Sequence, residues 1–230
     1  MHHLNEFQSK AELDNQFADV VTANLSQAIA KNGKASIAFS GGSTPKGFFQ
    51  ALSNTDLDWS KVTVTLADDR WVDVDHNDSN TKLIRENLLV NKAKDASFFV
   101  LKQGDELDDN SLEALNEQAL QVLPLDVVIL GMGEDGHTAS LFPCSQQISV
   151  GLSDTAQPAL MKVVPTTAPY ERITFNFSAL INTSSLYLHV VGDNKKQVLE
   201  QALASDNALE MPIRAFLSHP QKTCEIYWTK

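Results

Sequence analysis

The chain has 230 residues, 43 % of them apolar and 20 % charged, with a formal net charge of −11. That length and balance suit one folded α/β domain spanning 1–230, and no apolar run is long enough to cross a bilayer. So acidic a chain, without a Lys/Arg cluster, repels nucleic acid and anionic lipid, yet leaves room for a small anionic substrate held by one or two cations and oriented amides.

In chain order, the opening residues, His2 and His3 among them, read as a polar tail without the apolar core of a leader. With Cys144 and Cys224 too far apart in sequence to suggest a disulfide framework, the expected compartment is the cytoplasm. Leu13, Phe17, Val20, Val21, Ala28 and Ile29 recur at helical spacing and predict a helix over roughly 10–31, stopped by Asn32-Gly33. Short apolar runs predict strands at Ala35–Phe39, Val62–Ala67 and Asp126–Leu130. Further strands are expected at Ile173–Phe177, Leu186–Val191 and Cys224–Trp228, with a helix from Lys195 to Ala204 between the last two. Strands alternating with helices indicate a Rossmann-like, mostly parallel sheet covered on both faces, with additional C-terminal strands.

In such sheets ligands bind beyond the carboxyl ends of strands, which directs attention to four segments. The first, Ser40-Gly41-Gly42-Ser43-Thr44-Pro45, reads as a glycine turn into a helix, with Thr44 as N-cap and Pro45 in the first helical position. Its free amides suit an anion, or form only a tight turn; it lacks the Lys-Ser/Thr of a Walker loop. The second, Asp68-Asp69-Arg70-Trp71, places consecutive carboxylates and a cation at a strand end, fit for hydroxyl binding, proton transfer or an ion pair. Asp75, His76 and Asp78 follow, but three ligands crowded into four residues match no familiar metal spacing, so no metal is expected.

The third segment runs from Gly131 to Pro143 and contains a literal Gly-x-Gly-x-x-Gly over 131–136. A dinucleotide fingerprint requires a long helix next. Pro143 leaves only a short one before Ile148, Val150, Leu152 and Asp154, so neither this reading nor its cofactor is adopted. What remains is a glycine loop presenting His137 directly after an Asp-Gly turn, the placement of a general base or of a surface histidine. Among the other histidines, His189 is expected to pack within a strand and His219 to sit in a loop. The fourth segment, Gly192-Asp193-Asn194-Lys195, sets an ammonium at the start of a helix, with Leu199 rather than an acid one turn on.

Together these pieces strongly resemble the 6-phosphogluconolactonases, which form one family with the glucosamine-6-phosphate deaminases. The matching residues are Gly41-Gly42-Ser43-Thr44-Pro45, Asp68-Asp69-Arg70 with His76 and Ser79-Asn80, Gly131 through Pro143, Arg172-Ile173-Thr174, and Gly192 with Lys195. They follow the family's order over about residues 40–200, and Asp135 to Pro143 is the most specific stretch. Asp69 departs from the usual glutamate and Asp73 from a common proline. The resemblance implies hydrolysis of a phosphorylated sugar lactone in the oxidative pentose phosphate pathway, without cofactor. It assigns phosphate to Gly41, Gly42, Ser43, Thr44 and Lys195, with Arg172 a further candidate, and the base to His137.

Residue chemistry then suggests that Asp135 orients the imidazole, that Arg70 or loop amides stabilise the carbonyl oxygen, and that Asp68 binds sugar hydroxyls. The deaminases carry a glutamate just before the proline, where this chain has Phe142, which transfers no proton. A non-catalytic sugar-phosphate sensor would need a DNA-binding segment for which this acidic chain has no room. Monomer and homodimer are equally compatible with the sequence.

Overall fold

A computed structural model describes all 230 residues. In chain order it runs β1 (His2–Phe7), α1 (Lys10–Asn32), β2 (Ala35–Phe39), α2 (Lys46–Ser53), β3 (Val62–Leu66), β4 (Asp68–Arg70), α3 (Asn80–Asn87), β5 (Ser97–Phe99) and α4 (Asp109–Ala119). Then follow β6 (Val127–Leu130), α5 (Ile148–Gly151), β7 (Leu160–Val163), β8 (Arg172–Phe175), α6 (Phe177–Ile181), β9 (Ser185–Val191), α7 (Asp193–Leu203), α8 (Ile213–Leu217) and β10 (Cys224–Thr229). No helix is long and apolar enough to cross a membrane.

Seven strands form a parallel sheet in the order β1-β10-β9-β6-β2-β3-β5. Every residue of β2 and β6 is buried, as expected for strands covered on both faces. Right-handed crossovers decide which helix covers which face. The connections that run toward β5 carry α1, α2 and α3 on one side, and those that run toward β1 carry α4, α7 and α8 on the other. The direction of winding reverses between β2 and β6, so their carboxyl ends bound a crevice.

Helix α1 starts where Ser9 accepts a hydrogen bond from Glu12 N and stops at Gly33, left-handed at φ 76°, whose N–H returns to Ile29 O. Its buried stripe, Leu13, Phe17, Val21, Leu25 and Ala28, lies on the sheet.

The structure departs from the sequence reading at four places. His2 and His3 are not a tail: they belong to β1, an edge strand held by backbone pairing to β10, with His3 Nδ1 2.9 Å from Glu225 Oε2. Asp68–Arg70 is more than a strand end: it is a strand of its own, β4, and with β8 and β7 it forms a second, antiparallel sheet. The strand expected through Phe177 ends at Phe175, because Asn176 caps α6 by accepting from Ala179 N. Thr44 caps nothing: Pro45 occupies the N-cap position and α2 begins at Lys46. The alternation at Ile148, Val150 and Leu152 is the single turn α5 and the residue after it, so no strand follows the glycine loop as a dinucleotide fingerprint would require.

His189 is buried as expected, but in unusual company. Its ring meets Phe17 and Phe48 edge-on, at centroid distances of 5.4 and 5.7 Å, and neither ring nitrogen has a hydrogen-bond partner. Burial, with a smaller effect from Lys10, lowers its pKa to about 3. An unfolded histidine titrates near about 6.5, so between these values the unfolded chain binds the extra proton. The stability owed to neutral His189 is complete above that range and lost as pH falls toward 3.

From this group alone, the wild-type chain is expected to lose about 2–3 kcal/mol between pH 7 and pH 4.5. His189→Phe keeps the aromatic packing and removes the titration, so its urea-unfolding free energy should fall less over that interval. Equal losses in the two proteins would show that His189 is not the acid-sensitive group.

Candidate active site

At the carboxyl ends of β2, β3, β6 and β9 lies a cleft of about 470 Å³, within the usual range for small-molecule sites. Gly41, Gly42, Ser43, Thr44, Asp68, Arg70, His137, Arg172 and Lys195 all line it, so tertiary folding gathers nine of the ten residues singled out from sequence. The tenth, Asp135, stands behind His137.

The His137 Nδ1–Asp135 Oδ1 distance is 2.5 Å, and the same oxygen accepts the His137 backbone N–H at 3.1 Å. Burial raises the Asp135 carboxyl, but the hydrogen bond and charge of His137 outweigh it and leave the group below its ordinary value. An ionised carboxylate only accepts, so Nδ1 is the donor in this pair, and the neutral tautomer that fits it leaves Nε2 as the acceptor nitrogen. A side chain at Gly133 would collide with both His137 and Asp135, so the pair can lie against the loop only because this residue is glycine. From its other side the imidazole stacks on Phe142, at 4.2 Å between centroids and 28° between planes. Sequence marks Phe142 only as a missing acid; the fold makes it the imidazole's aromatic support.

The three cations of the cleft are held by neutral oxygens. Arg70 donates to Asp78 O at 2.8 Å and Asn80 Oδ1 at 3.1 Å, Arg172 to Pro169 O at 3.0 Å, and Lys195 to Met132 O at 2.9 Å. Several lysines elsewhere are tied to acids, as in Lys10–Asp14, Lys162–Glu171 and Lys196–Glu6, whereas Lys102 and Lys222 also donate to backbone carbonyls. Arg172 is buried, which pulls its pKa down, and its Nε has no partner. Lys195 sits in the first turn of α7, where the helix dipole disfavours a cation. Local helix preference therefore does not account for its position.

The consecutive acids divide. Asp69 is fully buried and accepts from Arg70 N, Asn80 N, Thr81 N and Thr81 Oγ1; it organises the entry to α3 and offers nothing to a ligand. Burial raises its pKa against those bonds. Asp68 faces the cleft and accepts from Ser140 Oγ at 2.5 Å. Asp75 and His76 lie outside the cleft, whereas Asp78 lines it.

Sequence reasoning gave no role to Asn80, which joins two of the segments. Its Nδ2 donates to Asp68 O at 3.0 Å, its Oδ1 accepts from Arg70, and that oxygen lies where a side chain on Gly41 would go. Only its place beside Ser79 in the matched motif pointed to it.

A family model described as "Glucosamine-6-phosphate isomerases/6-phosphogluconolactonase" matches residues 8–228. The chain belongs to this family. A curated 6-phosphogluconolactonase of Rhizobium meliloti (strain 1021) is 43 % identical over 227 residues, covering 98 % of each chain. The crystal structure of a 6-phosphogluconolactonase from Shewanella baltica OS155 superposes with a TM-score of 0.96 at 41 % identity, covering 100 % of this chain and 98 % of that one. A monomeric glucosamine-6-phosphate deaminase shares the fold at a TM-score of 0.79 and 15 % identity, covering 99 % of this chain and 97 % of that one.

Gly41→Ala should force Asn80 to give up its bonds to Asp68 and Arg70, at a cost of roughly 1–3 kcal/mol. For a chain this long that lowers the melting temperature by several degrees, on the order of 2–4 °C per kcal/mol. In an Asn80→Gly background the same alanine should cost much less, since the clash is gone. Additive losses in the double mutant would show that Asn80 does not enforce glycine at position 41.

Proposed function

We propose that this chain hydrolyses 6-phospho-D-glucono-1,5-lactone to 6-phospho-D-gluconate, with His137 as general base and no covalent intermediate, as a step of the oxidative pentose phosphate pathway. The observation that carries the reading is the Asp135–His137–Phe142 arrangement at the mouth of a cleft whose three cations lack acidic partners. The names of the relatives agree with it.

In the proposed reaction water attacks the lactone carbonyl while the bare Nε2 of His137 takes its proton. Asp135 holds the imidazole in the tautomer that leaves Nε2 basic and stabilises the cation that forms. The tetrahedral intermediate collapses with loss of the ring oxygen, which receives the proton back from His137. One water is consumed and one acid is formed, and the base is regenerated. Negative charge on the carbonyl oxygen is assigned to Arg70. The amides of Gly133 and Gly136 are already spent on turn bonds to His137 O and Gly133 O, which favours the guanidinium over the loop. Asp68 receives the sugar hydroxyls. Lys195 and Arg172, with the amides of Gly41 to Thr44, hold the phosphate.

Phe142 supports hydrolysis over amine loss with isomerisation, because the position next to Pro143 offers the base an apolar ring instead of a second proton carrier. The central experiment is a coupled assay on freshly generated lactone, corrected for spontaneous hydrolysis. His137→Ala should lower kcat by about 10²–10⁴ with a smaller change in KM. In the wild type kcat should fall on acidification, since a protonated imidazole accepts no proton. Near-normal turnover in the alanine variant would remove His137 from this role.

Lys195→Ala tests the phosphate assignment. Hydrogen bonds to charged groups contribute about 1.5–3 kcal/mol, so kcat/KM for the phosphorylated lactone should drop roughly 10–150-fold. Unphosphorylated glucono-1,5-lactone should be a poor substrate and nearly indifferent to the change. Equal proportional losses on both lactones would assign Lys195 to the fold or to the chemistry instead.

A further inference from the structure

The Gly133–His137 turn carries the proposed base, yet it is glycine-rich and partly exposed. Its internal bonds are Gly133 N to His137 O at 2.9 Å and Gly136 N to Gly133 O at 3.2 Å. Two further contacts come from a distant part of the chain. Ile213 N donates to Gly136 O at 3.0 Å, and the Met211 side chain lies directly against Gly136, which has φ 74°. Met211 and Ile213 flank Pro212, at the end of an irregular stretch between α7 and α8.

One side chain organises that stretch. Arg214 is buried, and its guanidinium donates through Nε to Ala202 O at 3.1 Å and through Nη2 to Gln201 O at 3.0 Å. These carbonyls belong to the last turn of α7, where helix geometry leaves acceptors short of partners; Gln201 O otherwise accepts only a long 3.3 Å bond from Ala204 N. Nη1 reaches Asn207 O at 3.0 Å and Glu210 Oε2 at 3.1 Å, so the same fork also grips the strap itself. The Arg214 backbone N–H closes the strap by donating to Met211 O at 2.9 Å. At its other end α7 holds Lys195, whose Nζ reaches Met132 O in the glycine loop. The loop is thus held on both flanks by structure anchored to one helix.

We infer that Arg214 is a positioning residue for the Asp135–Gly136–His137 turn, acting through Ile213 and Met211. Arg214 does not line the cleft. The inference rests on the reading of His137 as the base insofar as it concerns turnover. Its structural half, that Arg214 sets the geometry of the His137–Asp135 pair, stands independently. A lysine cannot substitute, because a single ammonium cannot reach carbonyls on two sides with a planar fork.

The test compares Arg214→Ala, Arg214→Lys and Met211→Ala in the full chain, all assayed well below their melting temperatures. Displacing a reacting group by about 1 Å can cost 10²-fold, so kcat for the lactone should fall roughly 10–100-fold in both Arg214 variants, with KM changed by no more than about threefold. Met211→Ala, which leaves every Arg214 bond in place, should show a smaller loss of the same kind. In NMR spectra the His137 ring signals, assigned by their disappearance in His137→Ala, should shift or broaden in all three. Guanidinium added to Arg214→Ala should recover part of the turnover.

A purely structural role would lower the melting temperature while leaving kcat and the His137 signals of the folded protein at wild-type values, and that result would overturn the inference. If Arg214→Ala does not fold, the lysine and Met211 variants decide the matter by the same readouts. Should His137→Ala itself retain normal turnover, the base assignment fails, and the ring signals still report whether Arg214 positions the turn.

Discussion

The site depends first on the pairing of β2 with a parallel neighbour on each side. Ile37–Phe39 runs in register with Val64–Leu66 on one flank and with Val127–Ile129 on the other. Parallel strands end at the same edge of the sheet, so the chain must leave β2, β3 and β6 in one direction. The Gly41–Thr44 loop, the crossing to Asp68 and the Gly131–His137 loop are therefore neighbours, although about 90 residues separate the first from the last. Phe17, Phe39, Phe48 and Phe49 form a continuous aromatic cluster, and Phe39, Phe48 and Phe49 line the cleft.

Charge is distributed to suit this geometry. In a chain of formal charge −11, an average surface point repels a phosphate, so attraction has to be local. The cleft gathers Arg70, Arg172 and Lys195, whose hydrogen bonds go to carbonyl and amide oxygens, while Asp68 and Asp78 share the lining and act on Arg172 only through their charge. A neutral acceptor orients the cation without neutralising it. On the proposed function, these three cations are what a small anionic group would meet in the cleft.

Three aspartates illustrate how environment assigns work to one residue type. Asp69, wholly buried, spends its oxygens on four donors and shapes the start of α3. Asp68, its neighbour on β4, points the other way because side chains alternate across a strand, and so it reaches the cleft. Asp135 sits at the surface turn, where the imidazole of His137 keeps it ionised. On the proposed mechanism, only the last two take part in the chemistry, and the first makes their placement possible.

The sequence by itself determined whatever rests on near neighbours. Short runs of mostly apolar and β-branched residues made β2, β3 and β6 legible, the helical stripe of Leu13 to Ala28 made α1 legible, and the two glycine loops with their Asp-Gly-His turn marked the site. Those signals are local, since burial on both faces and tight turns each restrict residue type over a few positions. What only the tertiary structure decided rests on partners far along the chain. β1 is polar and carries no apolar alternation; it is a strand because β10 supplies a backbone ladder more than 200 residues away. β4 is three charged residues that become a strand only beside β8. Phe142 as a stacking partner, Asn80 as a brace behind Gly41, and Arg214 as an anchor for the turn follow from side chains meeting across loops, and no spacing encodes such meetings. A residue's type limits the bonds it can make, but the fold chooses which of them it makes.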